Sequence, residues 1–209
     1  MKFLKYQGAG NDFLIADNRD GRMTEKDGVL TAVLEDGSVW TRAIADICDR
    51  RYGVGADGLM LLDAAQEGTD FVMTYFNSDG SGGMMCGNGG RCIVAFAHDC
   101  GIPGLTPALV PDSEKQGWLV RYSFMAADGP HEAYIYESTH ETKTIGLRMK
   151  DVEEFVKFEA LTGVDCPADG YFLDTGTRHY VRFIERINDY DIIAEGDRKS
   201  TRLNSSHVT

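Results

Sequence analysis

Tyr75 to Cys92 reads YFNSDGSGGMMCGNGGRC, and this stretch decides how the rest of the chain is read. It sets Cys86 directly before a glycine-rich turn, and an apolar segment, RCIVAFAHDC, follows from Arg91 to Cys100. Gly87, Asn88, Gly89 and Gly90 can take backbone angles that most residues avoid, so successive N–H groups can converge on a carboxylate without side chains in the way. A helix over about Arg91–Cys100 adds the positive end of its dipole to that turn. A cysteine at such a helix start has its thiolate favoured, which is how proteins bring a thiol pKa below about 8.5. Cys86 is therefore the candidate catalytic base or nucleophile.

Plainer readings compete with this one. Cys86 and Cys92 could both be core residues, since free cysteine is often buried, and for Cys92 that reading is preferred. A glycine run alone signals little beyond a tight turn. Cys86 is set apart by Asn77, Asp79 and Asn88, polar groups on loops rather than on an apolar stripe. No Gly-Lys-Ser/Thr follows the glycines, which excludes a phosphate-binding P-loop, and no Cys-x-x-Cys pair or ordered histidine spacing points to zinc. No metal, nucleotide or pyridoxal element is recognisable, so no cofactor is expected.

Working outward, Gly8-Ala9-Gly10-Asn11-Asp12 forms a polar turn into an apolar strand at Phe13–Ala16, presenting Asn11 at the strand edge. Trp40, Ile44, Ile47 and Cys48 recur at helical spacing, with Arg50 and Arg51 as a basic last turn and Gly53 as C-cap. Leu59–Leu62 and Phe71–Phe76 read as buried strands, the second delivering Asn77. The segment after the glycines is apolar on nearly every side, so it predicts an enclosed helix, stopped by Gly101 and Pro103. Leu119–Met125 and Glu132–Tyr136 flank Ala127-Asp128-Gly129-Pro130 as a hairpin, with a further strand over Thr144–Met149. One enclosed helix among many strands indicates an α+β fold.

The 209 residues, 43% hydrophobic and 26% charged, suit a globular protein of one or two domains. A net charge of −12 argues against nucleic acid or an anionic membrane as partner, because a polyanion would be repelled. No apolar run of about eighteen residues and no basic-then-apolar leader is present, so a cytoplasmic location is expected. Five cysteines in dissimilar contexts fit a reducing compartment.

The opening LKYQGAGNDFLIADNR, the segment CDRRYGVGADGLMLL and above all FNSDGSGGMMCGNGGRC resemble the diaminopimelate epimerase family, from Met1 to about Lys199. Proline racemases resemble the chain around the cysteine but usually carry histidine where Asn88 stands, and the phenazine-type isomerases lack the cysteine. The resemblance implies two pseudo-symmetric lobes, each a mixed β-sheet curled round a central helix. It places the first lobe at residues 1–144 and the start of the second at 145–199.

The implied reaction is cofactor-independent interconversion of LL- and meso-diaminopimelate, in lysine biosynthesis. One cysteine thiolate takes the α-proton and a second cysteine delivers a proton to the opposite face. Cys86 matches the first cysteine, and Gly87 and Asn88 match the loop that binds the α-carboxylate. Asn11 and Asn77 match substrate-contacting amides, and Thr177 and His179, within YFLDTGTRHYVRF at 171–183, match positions lining the cleft. His179 reads equally as a packing histidine, and His98 reads as structural. The implied partners are the small-molecule substrate and a second copy in a homodimer.

Gly58 stands where many members have glutamine, Gly82 where glutamate is frequent, and Arg178 where proline is usual. The last residues, STRLNSSHVT at 200–209, do not resemble the family and read as a non-native tail. The expectation is then an incomplete second lobe without its own cysteine in a Cys-Gly-Thr-Gly type loop or its Glu-Arg pair, and a chain inactive as it stands. Two alternatives remain open: a non-catalytic dicarboxylate-binding fragment, and a related-fold racemase for another amino acid.

Overall fold

The computed structural model describes residues 1–109, 111, 117–152, 156–157, 170–175, 178–183 and 191. The chain forms two units by contact, Met1–Met149 and Lys150–Thr209.

In the first unit a seven-stranded sheet runs in the order β1 (Leu4–Gly8), β2 (Asn11–Asn18), β6 (Gly58–Asp63), β7 (Phe71–Asn77), β8 (Val120–Ala126), β9 (Gly129–Ser138) and β10 (Lys143–Leu147). β2 pairs with β6 and β7 with β8 in parallel, and the remaining neighbours are antiparallel. Helix α2 (Gly87–Asp99) packs on β1, β2, β6, β7 and β10, so both margins and the middle of the sheet close on it. Its residues Cys92 to Ala97 are all buried, as an apolar circumference demands. The sheet's other face is covered by a small sheet of β3 (Met23–Lys26), β4 (Val29–Val33) and β5 (Val39–Ala43) and by the single-turn helix α1 (Ile44–Cys48).

Strand alternation divides the core in two. Phe71 and Met73 of β7 join Met60 and Leu62 of β6 and Ile93, Phe96 and Ala97 of α2, while Phe76, Leu59 and Leu61 face Leu30, Ile44 and Ile47. Phe71 stacks on Phe124 at 5.1 Å between centroids.

Several expectations change. The expected helix from Trp40 is β5 followed by a short α1, because Trp40 pairs with Ala32 and packs on Phe3. Its C-cap is Asp49 in extended geometry, with no basic residue in the last turn, so Arg50, Arg51 and Gly53 do not end it. β1 and the β3–β4 hairpin were not anticipated. The hairpin had a local signal: Asp27 and Gly28 both have positive φ, 53° and 77°, which a two-residue Asp-Gly turn supplies. α2 begins at Gly87, not near Arg91, so the glycines are its first turn. None of Gly87, Gly89 and Gly90 has a positive φ. Gly90 is small for want of room: a Cβ there would stand 2.7 Å from Met85 Cε and 2.8 Å from Leu147 Cδ2.

β10 carries the sheet from Lys143 through Leu147, across the expected lobe boundary at 144, and the first unit closes at Met149. The described part of the second unit is a three-stranded antiparallel sheet, β11 (Val156–Lys157), β12 (Gly170–Asp174) and β13 (Arg178–Arg182), with Tyr171 and Phe183 edge to face at 6.4 Å. Residues 200–209 lie outside the described residues.

Candidate active site

The strand register gathers the candidate residues at one margin of the large sheet. Asn11 opens β2 opposite Gly8, Phe13 pairs with Gly58, and Gly58 pairs with Asn77 at the end of β7. α2 starts over the same margin. Gly8 sits against its first turn, where a Cβ would lie 3.2 Å from Cys92 Sγ and 3.3 Å from the Asn88 carbonyl oxygen.

Cys86 is the N-cap of α2 and is half-buried, packed against the core beside Met60 and Met73. Its carbonyl accepts from Gly90 N–H at 2.7 Å, the first bond of the helix. No side chain caps this end, no acidic residue lies in the first turn, and no described residue accepts from the N–H groups of Gly87, Asn88 and Gly89. Three donors at the positive end of a thirteen-residue helix have the chemistry to receive an anionic group.

Asn88 is fixed from both sides. Arg91 donates to its Oδ1, its amide donates to Asn11 Oδ1, and Asn11 donates to Asp57 Oδ2 at 3.1 Å. Asp57 also accepts from Asp12 N–H at 3.2 Å and from Arg50 at 2.8 Å. Arg50 holds both oxygens of Asp12, at 2.7 and 3.0 Å, and Lys5 pairs with Asp12 at 2.8 Å. Hydrogen bonds from Arg50 and then Lys5 hold the Asp12 carboxyl well below the usual range, against the opposing effect of burial. Each amide nitrogen of Asn88 and Asn11 keeps a second N–H for a ligand, since a primary amide has two.

Asn77 is spent locally: its amide donates to Ser81 Oγ at 3.0 Å and to the Gly82 carbonyl at 3.5 Å, holding the loop that leads to Cys86. Asp79 caps the same loop through Ser81. A side chain at Gly82 would meet nothing within 4 Å, whereas one at Gly58 would lie 2.5 Å from the Tyr75 ring and 2.7 Å from the Phe76 carbonyl oxygen. The two departures from the family pattern thus differ: one is indifferent to the fold, the other is required by it.

Cys92 lies in the core, as expected, and burial pushes its thiol up to about 11. His98 accepts a structural place, its Nδ1 donating to the Tyr122 hydroxyl, which in turn donates to the Ile102 carbonyl at 3.0 Å. In the second unit, His179 pairs with Leu173 across β12 and β13, is exposed and lies 3.0 Å from Thr175 Oγ1. Thr177 lies outside the described residues. Among the described residues no group of three His, Cys, Asp or Glu side chains could hold a metal ion, and no helix is long and apolar enough to cross a membrane. Sequence reasoning passed over Tyr75, which packs in the same cluster as Cys86 and whose ring borders Gly58.

A profile of the diaminopimelate epimerase family matches residues 3–111. The chain is 39% identical over 196 residues to diaminopimelate epimerase of Flavobacterium psychrophilum, covering 94% of this chain and 60% of that protein. To the Aquifex aeolicus enzyme it is 33% identical over 197 residues, covering 94% and 62%. Identity rises to 49% with the Synechococcus enzyme over 104 residues, half of this chain and 32% of that one. The chain thus spans about 60% of the length of such relatives. Among solved structures, the Bacillus anthracis phenazine biosynthesis protein of the PhzF family superposes with a TM-score of 0.50 at 15% identity, over 86% of this chain and 55% of that one, a likeness of fold alone.

Proposed function

The chain belongs to the diaminopimelate epimerase family, and from that membership we propose that Cys86 is one of two acid–base groups that invert the α-carbon of diaminopimelate without a cofactor. The observation that carries this reading is Cys86 at the start of α2, beside three N–H donors with no acceptor among the described residues. A carboxylate held by Gly87, Asn88 and Gly89 puts its α-carbon next to the thiolate. As the α-proton moves to Cys86 Sγ, negative charge spreads into that carboxylate, where fixed donors and the helix dipole stabilise it without reorganising. Inversion then needs an acid on the opposite face. Cys48, Cys92, Cys100 and Cys166 do not qualify, because none sits before a Gly-Asn-Gly or Gly-Thr-Gly turn.

The Asn11 amide faces the substrate's distal end, where unmade hydrogen bonds would reject shorter amino acids, and the Asn88 side-chain amide joins the carboxylate turn. Asn77 acts through its loop, and Thr177 and His179 belong to the second lobe, which begins after β10. Free thiols at Cys48, Cys86, Cys92 and Cys100 support a cytoplasmic, reducing location for the enzyme, and the homodimer is proposed from the family resemblance alone.

The test is stereochemical inversion of LL-diaminopimelate, measured for residues 1–209 and for residues 1–199 joined to the downstream part of the Flavobacterium psychrophilum relative. The joined protein should turn over at about 1–1000 per second and the 209 residues alone not at all. A joined protein inert toward diaminopimelate but active on another amino acid would replace this reading with that of a related racemase. Ligand binding without turnover in both would leave only a dicarboxylate-binding fragment.

A further inference from the structure

β7 alternates so that Phe71, Met73 and Tyr75 face α2. Cys86 stands over Met60 and Met73: a Cβ on Gly89, in the turn above them, would lie 3.4 Å from Met60 Sδ, 3.5 Å from Met73 Cε and 3.5 Å from Cys86 Cβ. Gly58 and Tyr75 are the next residues on that sheet face toward the margin where Asn11 and Asn77 lie. Tyr75 therefore lies on the face that α2 covers and floors the margin over which the first turn starts.

Its ring is seated with unusual closeness. A Cβ at Gly58 would lie 2.5 Å from its Cε2 and 2.9 Å from its hydroxyl oxygen, and a Cβ at Gly83 would lie 1.9 Å from its Cδ1. Phe13 meets it edge on at 5.9 Å. Two glycines thus make the space that this one ring fills, at the cost of backbone entropy in the unfolded chain.

The hydroxyls of Tyr6, Tyr122 and Tyr134 all donate to protein acceptors. That of Tyr75 meets no partner among the described residues, although the residue is half-buried beside Cys86. Burial, with the charges of Cys86 and Asp57 behind it, pushes the phenol up to about 12, so it remains a donor through the neutral range. A half-buried donor without an acceptor, in front of a helix N-terminus, is placed for an anionic ligand.

We propose that Tyr75 is a substrate-positioning residue of the Cys86 site, its O–H donating to the same carboxylate that the N–H groups of Gly87, Asn88 and Gly89 receive. This rests on the proposed function, in which that carboxylate belongs to the amino-acid substrate. Gly58 is then the partner of Tyr75, because a side chain there would expel the phenol from the floor.

The test compares alkylation of Cys86 by iodoacetate, which carries a carboxylate, with alkylation by the neutral iodoacetamide, read by peptide mapping of residues 1–209. The ratio of the two rates cancels changes in thiol exposure. In the parent protein it should exceed the ratio for a small free thiol. Tyr75→Phe, which keeps the ring and the packing, should lower it by about tenfold, the loss of one hydrogen bond to a charged group, and Asn88→Ala should also lower it. An unchanged ratio in Tyr75→Phe with a lowered one in Asn88→Ala overturns the role of Tyr75 and leaves the proposed function standing. A parent ratio no higher than the free thiol's, unmoved by either substitution, overturns both.

Discussion

At the C-terminal end of α2, Asp99 accepts from the Tyr6 hydroxyl on β1 at 2.7 Å and pairs with Lys143 on β10 at 2.7 Å, so one carboxylate ties both margins of the large sheet to the helix. Cys100 N–H bonds back to the Phe96 carbonyl, and Gly101, at φ 72°, turns the chain away. At the N-terminal end the cap is Cys86, whose side chain makes no capping bond, and the donors of the first turn are unmatched among the described residues. A serine or aspartate cap would be worth about 0.5–2 kcal/mol there. The difference teaches that one element is tied at one end and, on the proposed function, reserved for binding at the other. The tied end fixes the helix in its sheet, so the other can leave polar groups unspent.

The strongest way to break this division is Cys86→Ala in the joined protein. Inversion should fall by about 10³-fold or more, with the thermal midpoint shifted by no more than about 2 °C, since a half-buried thiol is lost without a capping bond. Turnover comparable with the parent would show that Cys86 is not the base. Asn88→Ala should raise the apparent KM by about ten- to a hundredfold, by removing one amide from the carboxylate turn and releasing Arg91 and Asn11. A collapse of the thermal midpoint with KM unchanged would move Asn88 to the structural side.

Cys92→Ala, one turn further along, sharpens the contrast from within the core. Its side chain is 3% exposed, so truncation should cost about 1 kcal/mol in denaturant unfolding while Cys86 alkylation is unaltered. The smallest effect is expected at the far end. Burial works against the Asp99 anion, yet hydrogen bonds from Lys143 and Tyr6 hold its pKa below the usual value. Its stabilisation is thus complete above the unfolded carboxylate's pKa and is lost as pH falls through the lower folded value. With 41% of the side chain exposed, Asp99→Asn should cost less than about 1 kcal/mol at neutral pH and less still in high salt. Equal stability of parent and variant from pH 7 down to pH 2 would remove Asp99 from the tied end.

Much of this was legible in the sequence for reasons that lie close together in it. The enclosed helix followed from an apolar run with no polar face, and β6 and β7 followed from short apolar runs bounded by turns. Cys86 stood out because its neighbours are local. The stretch from Trp40 misled because spacings of four and three residues mimic a helix, whereas pairing of Val39, Thr41 and Arg42 with β4 prevails. The glycines were read for backbone freedom, whereas at Gly90 the demand is close approach, set by Met85 and by Leu147 on the distant β10. Tyr75 was invisible for a similar reason: its meaning comes from Gly58 on the adjacent strand, a neighbour that only the β6–β7 register provides.

The bond from Asn88 to Asn11 spans 77 positions of chain, while β1 with β2, β6 with β7 and β8 with β9 are near neighbours in sequence. Hairpins close in about 1–10 μs, but long-range closure pays its entropy before any contact rewards it. During refolding the receptor turn should therefore mature late, after Asn11 has been carried to α2 by the parallel β2–β6 pairing. A nascent chain halted before α2 emerges has hairpins and no turn. Cys86 is thereby a clock: pulsed alkylation during refolding should find its adult reactivity only when the slowest phase is complete.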